Sequence, residues 1–110
     1  MANTYLTRTH GASPTNLQKW TFSAWIKRTK LTGANQKIFS TAYVGAAEAY
    51  IFFDSANRFS FGQYAGGGSA SNFYKTTSRR FRDVSAWYHI QVTWDTTLAT
   101  AADRIKLYVN

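Results

Sequence analysis

Apolar residues recur at every second position through most of this chain. In Trp20–Arg28, WTFSAWIKR, one face carries Trp20, Phe22, Ala24 and Ile26 and the other Thr21, Ser23, Trp25 and Lys27. A period of two is the repeat of a strand with one face on a core. Trp25 on the polar side predicts that both faces of this strand are at least partly covered. A turn at Leu31–Gln36 leads to a second strand, Lys37–Tyr43, with Ile38, Ser40 and Ala42 inward. Glu48–Ser55 and Arg58–Tyr64 flank a short polar connection and predict a hairpin, with Phe59 and Phe61 sharing a face. Phe73–Ser78 reads as another strand. In Trp87–Asp95 the core set is Tyr88, Ile90, Val92 and Trp94, and in Arg104–Val109 it is Ile105, Leu107 and Val109. Ala65–Ser71, AGGGSAS, has nothing to bury and reads as a flexible exposed loop, and Thr96–Ala102 as a loop or short turn.

No stretch has the 3.6-residue period of an amphipathic helix. Seven or so short strands divided by turn residues predict an all-β fold, an antiparallel two-sheet jelly-roll sandwich over residues 18–110. Residues 1–17 form an N-terminal arm or linker leading into the first strand. The last strand ends at Asn110 with no return strand, so the sandwich is expected to be incomplete at its C-terminus, with an edge open to a partner.

The 110 residues allow one domain, and an aromatic content of 17% provides the core that a disordered chain lacks. There is no cysteine, which excludes disulfides and thiolate metal sites. No apolar run is long enough to span a bilayer, and Met1–His10 lacks the apolar centre of a secretion signal, so synthesis in the cytoplasm is expected. The net charge of +8 draws the chain toward anionic surfaces. Its densest cations are the short clusters Lys27-Arg28-Lys30 and Arg79-Arg80-Arg82, for which a solvated basic surface is the simplest reading.

Two stretches carry a family resemblance. WTFSAWIKR resembles a strand of laminin G-like domains. Phe81–Asn110, FRDVSAWYHIQVTWDTTLATAADRIKLYVN, is similar to the W-x-H strand, polar loop and D-R-I-K-L-Y-V-N strand of the concanavalin A-like lectin and glucanase superfamily. The form with Arg-Asp-Val-Ser-Ala-Trp-Tyr-His resembles structural proteins of tailed bacteriophages. The resemblance implies a jelly roll that binds carbohydrate or protein within a virion, as a fibre, appendage or capsid decoration. Other virion proteins, and a host-surface glycan, are the partners it implies, and by analogy with phage fibres a homo-oligomer is expected. Function remains a property of the site, because this fold hosts lectins, adhesion modules, glycosidases and structural domains.

Glucanases of the superfamily place their carboxylates in an E-x-D-x-x-E type pattern, whereas this chain has one glutamate, Glu48, and no such pair. Catalysis by a carboxylate pair is therefore not expected. A Ser-His-Asp arrangement would need His10 or His89, and the resemblance makes His89 a framework residue beside Trp87. Calcium is the metal of laminin G-like relatives; Asp54 with Asn57 is the weak candidate, in a turn sequence that explains itself by Asx hydrogen bonding. No other cofactor is implied. For ligand contact the candidates are Tyr64, Tyr74 and Phe73, aromatics flanking the glycine-rich loop, together with Arg79 and Arg80 as guanidinium forks for an anion. Tyr43 and Tyr50 are weaker members of the same set. Arg82 and Asp83 belong to the repeated motif and read as structural. The basic charge and aromatics also raise single-stranded nucleic acid, which no recognition motif supports.

Overall fold

A computed structural model describes residues 9, 11, 13, 15–41, 48–64 and 71–110. Seven strands form two antiparallel sheets. The first has the order β1-β6-β7, built from β1 (Lys19–Lys27), β6 (Trp87–Asp95) and β7 (Ile105–Val109). The second has the order β2-β3-β4-β5, from β2 (Gln36–Thr41), β3 (Glu48–Phe53), β4 (Arg58–Tyr64) and β5 (Ser71–Arg80). The expected two-sheet antiparallel sandwich is the fold observed. The only helical element among the described residues is one 3₁₀ turn, Ala101–Asp103, which begins in the expected polar connection Thr96–Ala102 and runs one residue past it.

The period-two faces meet in the core. Ile51, Phe53, Phe59 and Phe61 from one sheet pack on Tyr88, Ile90 and Val92 from the other, with Phe81 closing one end. Burying each such side chain contributes about 1.5–3 kcal/mol. Trp20, on the same face as Phe22, meets Phe61 edge-on at 5.3 Å and stacks on its cross-strand partner Trp94 at 6.0 Å. At the β5/β7 side the Lys75 ammonium donates to the carbonyls of Ala102 and Ile105, at 2.9 and 2.6 Å, and ties the two sheets together. At the β1/β2 side the sheets part around an apolar cavity of about 390 Å³, lined by Trp20, Phe22, Phe39, Ala49, Ile51 and Phe61 among others.

Two expectations fail for local reasons. Ser40 does not face inward. An irregularity between Lys37 and Phe39 shifts the register, turning Phe39 onto Phe22 (5.6 Å) and leaving Ser40 exposed opposite Tyr50. Trp25 is 61% exposed, so the outer face of β1 is uncovered among the described residues. Ala42, Tyr43, His10 and the Ala65–Ala70 part of the glycine-rich stretch lie outside the described residues.

The β3–β4 connection is a tight turn. Asn57 N–H donates to the Asp54 carbonyl at 2.9 Å, and Asn57 takes φ 66°, the left-handed region that asparagine tolerates better than most residues. Asp54 locks the turn from its side chain: Oδ1 accepts the Arg58 N–H and Oδ2 the Arg58 guanidinium, both at 2.8 Å. Burial pushes the Asp54 carboxyl up, but these bonds, the Arg58 charge and the Ala56 N–H outweigh it and hold the carboxyl below its ordinary 3.8. A depressed carboxyl contributes stability that is complete above the unfolded-state value and lost as pH falls through the folded-state one. Acid titration of the folded fraction is therefore expected to show a loss below about pH 4 that Asp54→Asn removes; an unchanged acid limb in that variant would show that Asp54 does not carry it.

Candidate functional site

The predicted contact residues lie on a single hairpin but do not converge. Tyr64 ends β4, and Phe73 and Tyr74 sit early in β5, toward the end of the sandwich away from the β3–β4 turn. Arg79 and Arg80 close β5 at the opposite end, five and six residues beyond Tyr74, or roughly 16–20 Å along an extended strand. Tyr74 lies within β5 itself. Its ring lies over Gly62, its cross-strand partner: a Cβ built there would come within 2.9 Å of Tyr74 Cδ2. The ring also touches Phe52 (5.9 Å) and keeps 43% of its surface exposed. Tyr50 belongs to the same outer face and carries Lys37 Nζ 3.7 Å above its ring. Phe73 points the other way, packing on Phe61 (5.0 Å) and Trp94 (5.1 Å) at the edge of the core.

The arginines divide by role. Arg79 and Arg80 are exposed, Arg79 with its guanidinium 5.1 Å from the Phe81 ring centre. Arg58 is spent on Asp54. Arg28, from the first basic cluster, does not lie in solvent: it is buried, stacked over Phe53 at 4.5 Å, and donates to the Phe81 carbonyl, Gln36 Oε1 and Asn57 Oδ1. The oxygens offered as a calcium cluster thus already face two guanidiniums, Asp54 toward Arg58 and Asn57 toward Arg28. A dication there would have to displace both, so the residues present do not fit calcium. Among the described residues no group of three His, Cys, Asp or Glu could hold a metal ion.

Sequence spacing missed one arrangement. Asp95, at the end of β6, and Asp103, in the 3₁₀ turn before β7, line one cavity of about 410 Å³ together with Lys19, Trp20, Lys106 and Tyr108. Two carboxylates near aromatic side chains invite a glycosidase reading, which requires one of them to be protonated. Asp95 is held in the opposite state. Its carboxyl lies below its ordinary value because the Thr97 hydroxyl and N–H and the Lys19 ammonium (3.0 Å) all donate to it. Asp103 is paired with Lys106 at 3.6 Å. Each carboxylate has its own cation, which favours a structural role for both.

His89 accepts or donates at 2.8 Å to the Ser23 hydroxyl and lies against the Trp25 ring (5.1 Å) on the outer face of the first sheet. No acidic partner completes a triad with it among the described residues.

A family model described as the concanavalin A-like lectin/glucanases superfamily, of the laminin G-like type, matches residues 2–110. The chain belongs to this superfamily. No curated protein and no solved structure matches it. The geometry above is consistent with a non-catalytic, binding-type β-sandwich module: aromatic and cationic side chains on strands, with Asp54, Asp95 and Asp103 each committed to an ion pair. No helix among the described residues is long and apolar enough to cross a membrane.

Proposed function

We propose that this laminin G-like domain is a non-enzymatic binding module of a phage virion, in a fibre, appendage or capsid decoration, which contacts host-surface glycan or neighbouring virion proteins. The assignment to a virion rests on the resemblance of Phe81–Asn110 to phage structural proteins. The observation that carries the binding role is the part-exposed ring of Tyr74, packed with one edge on Gly62 and against Phe52. A preoriented aromatic face with a polar tip suits stacking on a sugar ring at little entropic cost. Tyr64 at the end of β4, and Arg79 and Arg80 at the far end of β5, extend the proposed contact surface, with Phe73 supporting it from the core side.

The test is a glycan array probed with the purified domain, followed by titration of the hits. Tyr74→Ala is expected to weaken binding about tenfold, the loss of one stacked ring. Gly62→Val, whose side chain would push the ring aside, is expected to do the same with Tyr74 still present. Release of reducing ends from a polysaccharide would rule out the non-enzymatic reading, and affinities unchanged in both variants would remove Tyr74 from the site. The apolar cavity between β1 and β2, with Trp20 and Phe39 exposed at it, favours a second reading, a structural subunit held by protein contacts alone.

A further inference from the structure

The two basic clusters are about fifty residues apart in sequence, yet they share one end of the sandwich. β1, β3 and β5 all finish there and β2, β4 and β6 all start there, so the three connections 28–35, 54–57 and 81–86 meet. Arg28 holds them together, reaching Gln36, Asn57 and the Phe81 carbonyl. Phe81 N–H donates to the Asn57 carbonyl at 2.7 Å, Gln36 Nε2 to the Lys30 carbonyl at 3.0 Å, and Ser55 N–H to Asn35 Oδ1 at 3.1 Å.

Seven of the thirteen cations gather at this end, Lys27, Arg28, Lys30, Arg58, Arg79, Arg80 and Arg82, against two of the five carboxylates, Asp54 and Asp83. Asp54 is consumed by Arg58. Asp83 is turned to its own loop, accepting from the Ser85 N–H and hydroxyl at 2.8 and 2.6 Å. Lys27, Lys30, Arg79, Arg80 and Arg82 are exposed, with no ion pair among the described residues. At the opposite end Lys19 and Lys106 each have an aspartate. Seven cations against two carboxylates thus put a net +5 of the chain's +8 at this end.

An aromatic surface adjoins it. Lys27 is the cross-strand partner of Trp87, and Trp25 that of His89. Trp25 and Trp87 are 61% and 60% exposed on the outer face of the first sheet, and Tyr108, two rows along beside Gln91, is 50% exposed. Ser23, Gln91 and Asn110 supply hydroxyl and amide groups on or beside the same face. Indole faces stack on pyranose rings, the amides and hydroxyls match sugar hydroxyls, and guanidinium forks match carboxylates.

From this charge complementarity we propose that the Arg28-latched end and the adjoining Trp25–Trp87 face bind an acidic polysaccharide, its carboxylates on Arg79, Arg80 and Arg82 and its sugar rings on the indoles. The proposal rests on the reading that the domain binds glycan, and adds the place and the charge class. The hydroxyl and amide row and the membership of a lectin superfamily favour a glycan over single-stranded nucleic acid.

Titration of the purified domain with polygalacturonate, neutral dextran and an oligo-dT strand, at low and high salt, tests it. Polygalacturonate is expected to bind with salt-sensitive affinity and dextran not to bind. Arg82→Glu should weaken polygalacturonate at least about tenfold, whereas Lys106→Glu, the same charge change at the opposite end, should cost less than about twofold. Trp87→Ala should weaken binding without changing its salt dependence. Thermal midpoints report folding, and Arg82→Gln serves if the reversal unfolds the chain. Equal losses in Arg82→Glu and Lys106→Glu would reduce the effect to net charge and overturn the site. Oligo-dT binding as tightly as polygalacturonate would overturn the ligand class. If neutral array glycans bind through Tyr74 while polygalacturonate does not, this inference fails and the binding-module reading stands; if no glycan binds, both fail.

Discussion

Phe61→Ala is expected to destabilise the domain by about 4 kcal/mol, near the upper end for loss of a buried phenylalanine ring. Three aromatic partners converge on this residue: Trp20 edge-on at 5.3 Å, Phe73 at 5.0 Å and Trp94 edge-on at 6.0 Å. Two of them, Trp20 and Trp94, come from the other sheet, so the ring is a principal contact between the layers. It also lines the cavity beside β1 and β2. Truncation would join a new void to that existing space, where neighbouring strands have little means of collapsing inward. Denaturant titration should show the loss as a lowered midpoint, with a thermal midpoint down by roughly 15–25 °C for a chain of this size. Phe61→Leu should recover more than half of it. A cost for the alanine variant below about 2 kcal/mol would mean that the cavity wall rearranges freely and that the ring does not join the sheets.

What the sequence disclosed follows from what decides each feature. The inward faces of β1, β4, β6 and β7 were legible because alternation is a local signal and one buried face gives it a sign. The length of β5 was not: Arg79 and Arg80 continue the strand although their side chains have no apolar alternation to show it. Ser40 was assigned to the wrong face because a bulge reverses parity and leaves no mark in the residue types. Trp25 was expected to be covered because a tryptophan on a strand usually is, and nothing local says otherwise. The site fared differently. Tyr74 and Phe73 were grouped together as candidates, yet strand alternation sends Tyr74 to the outer face and Phe73, its immediate neighbour, to the core. Asp95 and Asp103 meet because the β6–β7 connection folds back with its 3₁₀ turn, a conformation that no residue type in that polar stretch marks. The same holds for the basic end, where two clusters that look scattered in sequence are brought together by a topology in which every second connection falls on the same side. Arg28 is the clearest case, since its position in a Lys-Arg-Thr-Lys run gives no hint that it is buried.

Arg28→Ala is expected to cost about 3 kcal/mol and to act on a different part of the molecule from Phe61→Ala. Arg28 is 4% exposed, and its guanidinium, just beyond β1 of the first sheet, bonds three neighbouring segments of the second: the start of β2 through Gln36, the β3–β4 turn through Asn57, and the entry to the 81–86 connection through the Phe81 carbonyl. Burial pushes its pKa down while Tyr88 and Asp54 pull it up, and an arginine stays charged at any pH the fold survives. Its Nε–H is buried without a partner among the described residues, so part of what the three bonds contribute is already offset. Truncation leaves three acceptors short of a donor and a gap over the Phe53 ring. Arg28→Lys should recover less than half of the loss, because an ammonium cannot hold a planar fork across all three acceptors. Arg28→Met, which keeps the packing over Phe53, separates stacking from hydrogen bonding. Hydrogen exchange should rise first at Phe81 N–H and Asn57 N–H, where the two connections meet, and later in the core strands. Uniformly faster exchange would place Arg28 in the general stability of the core. Local loss, with Tyr74-dependent binding retained and polygalacturonate binding lost, would show that one buried cation positions the exposed cations around it.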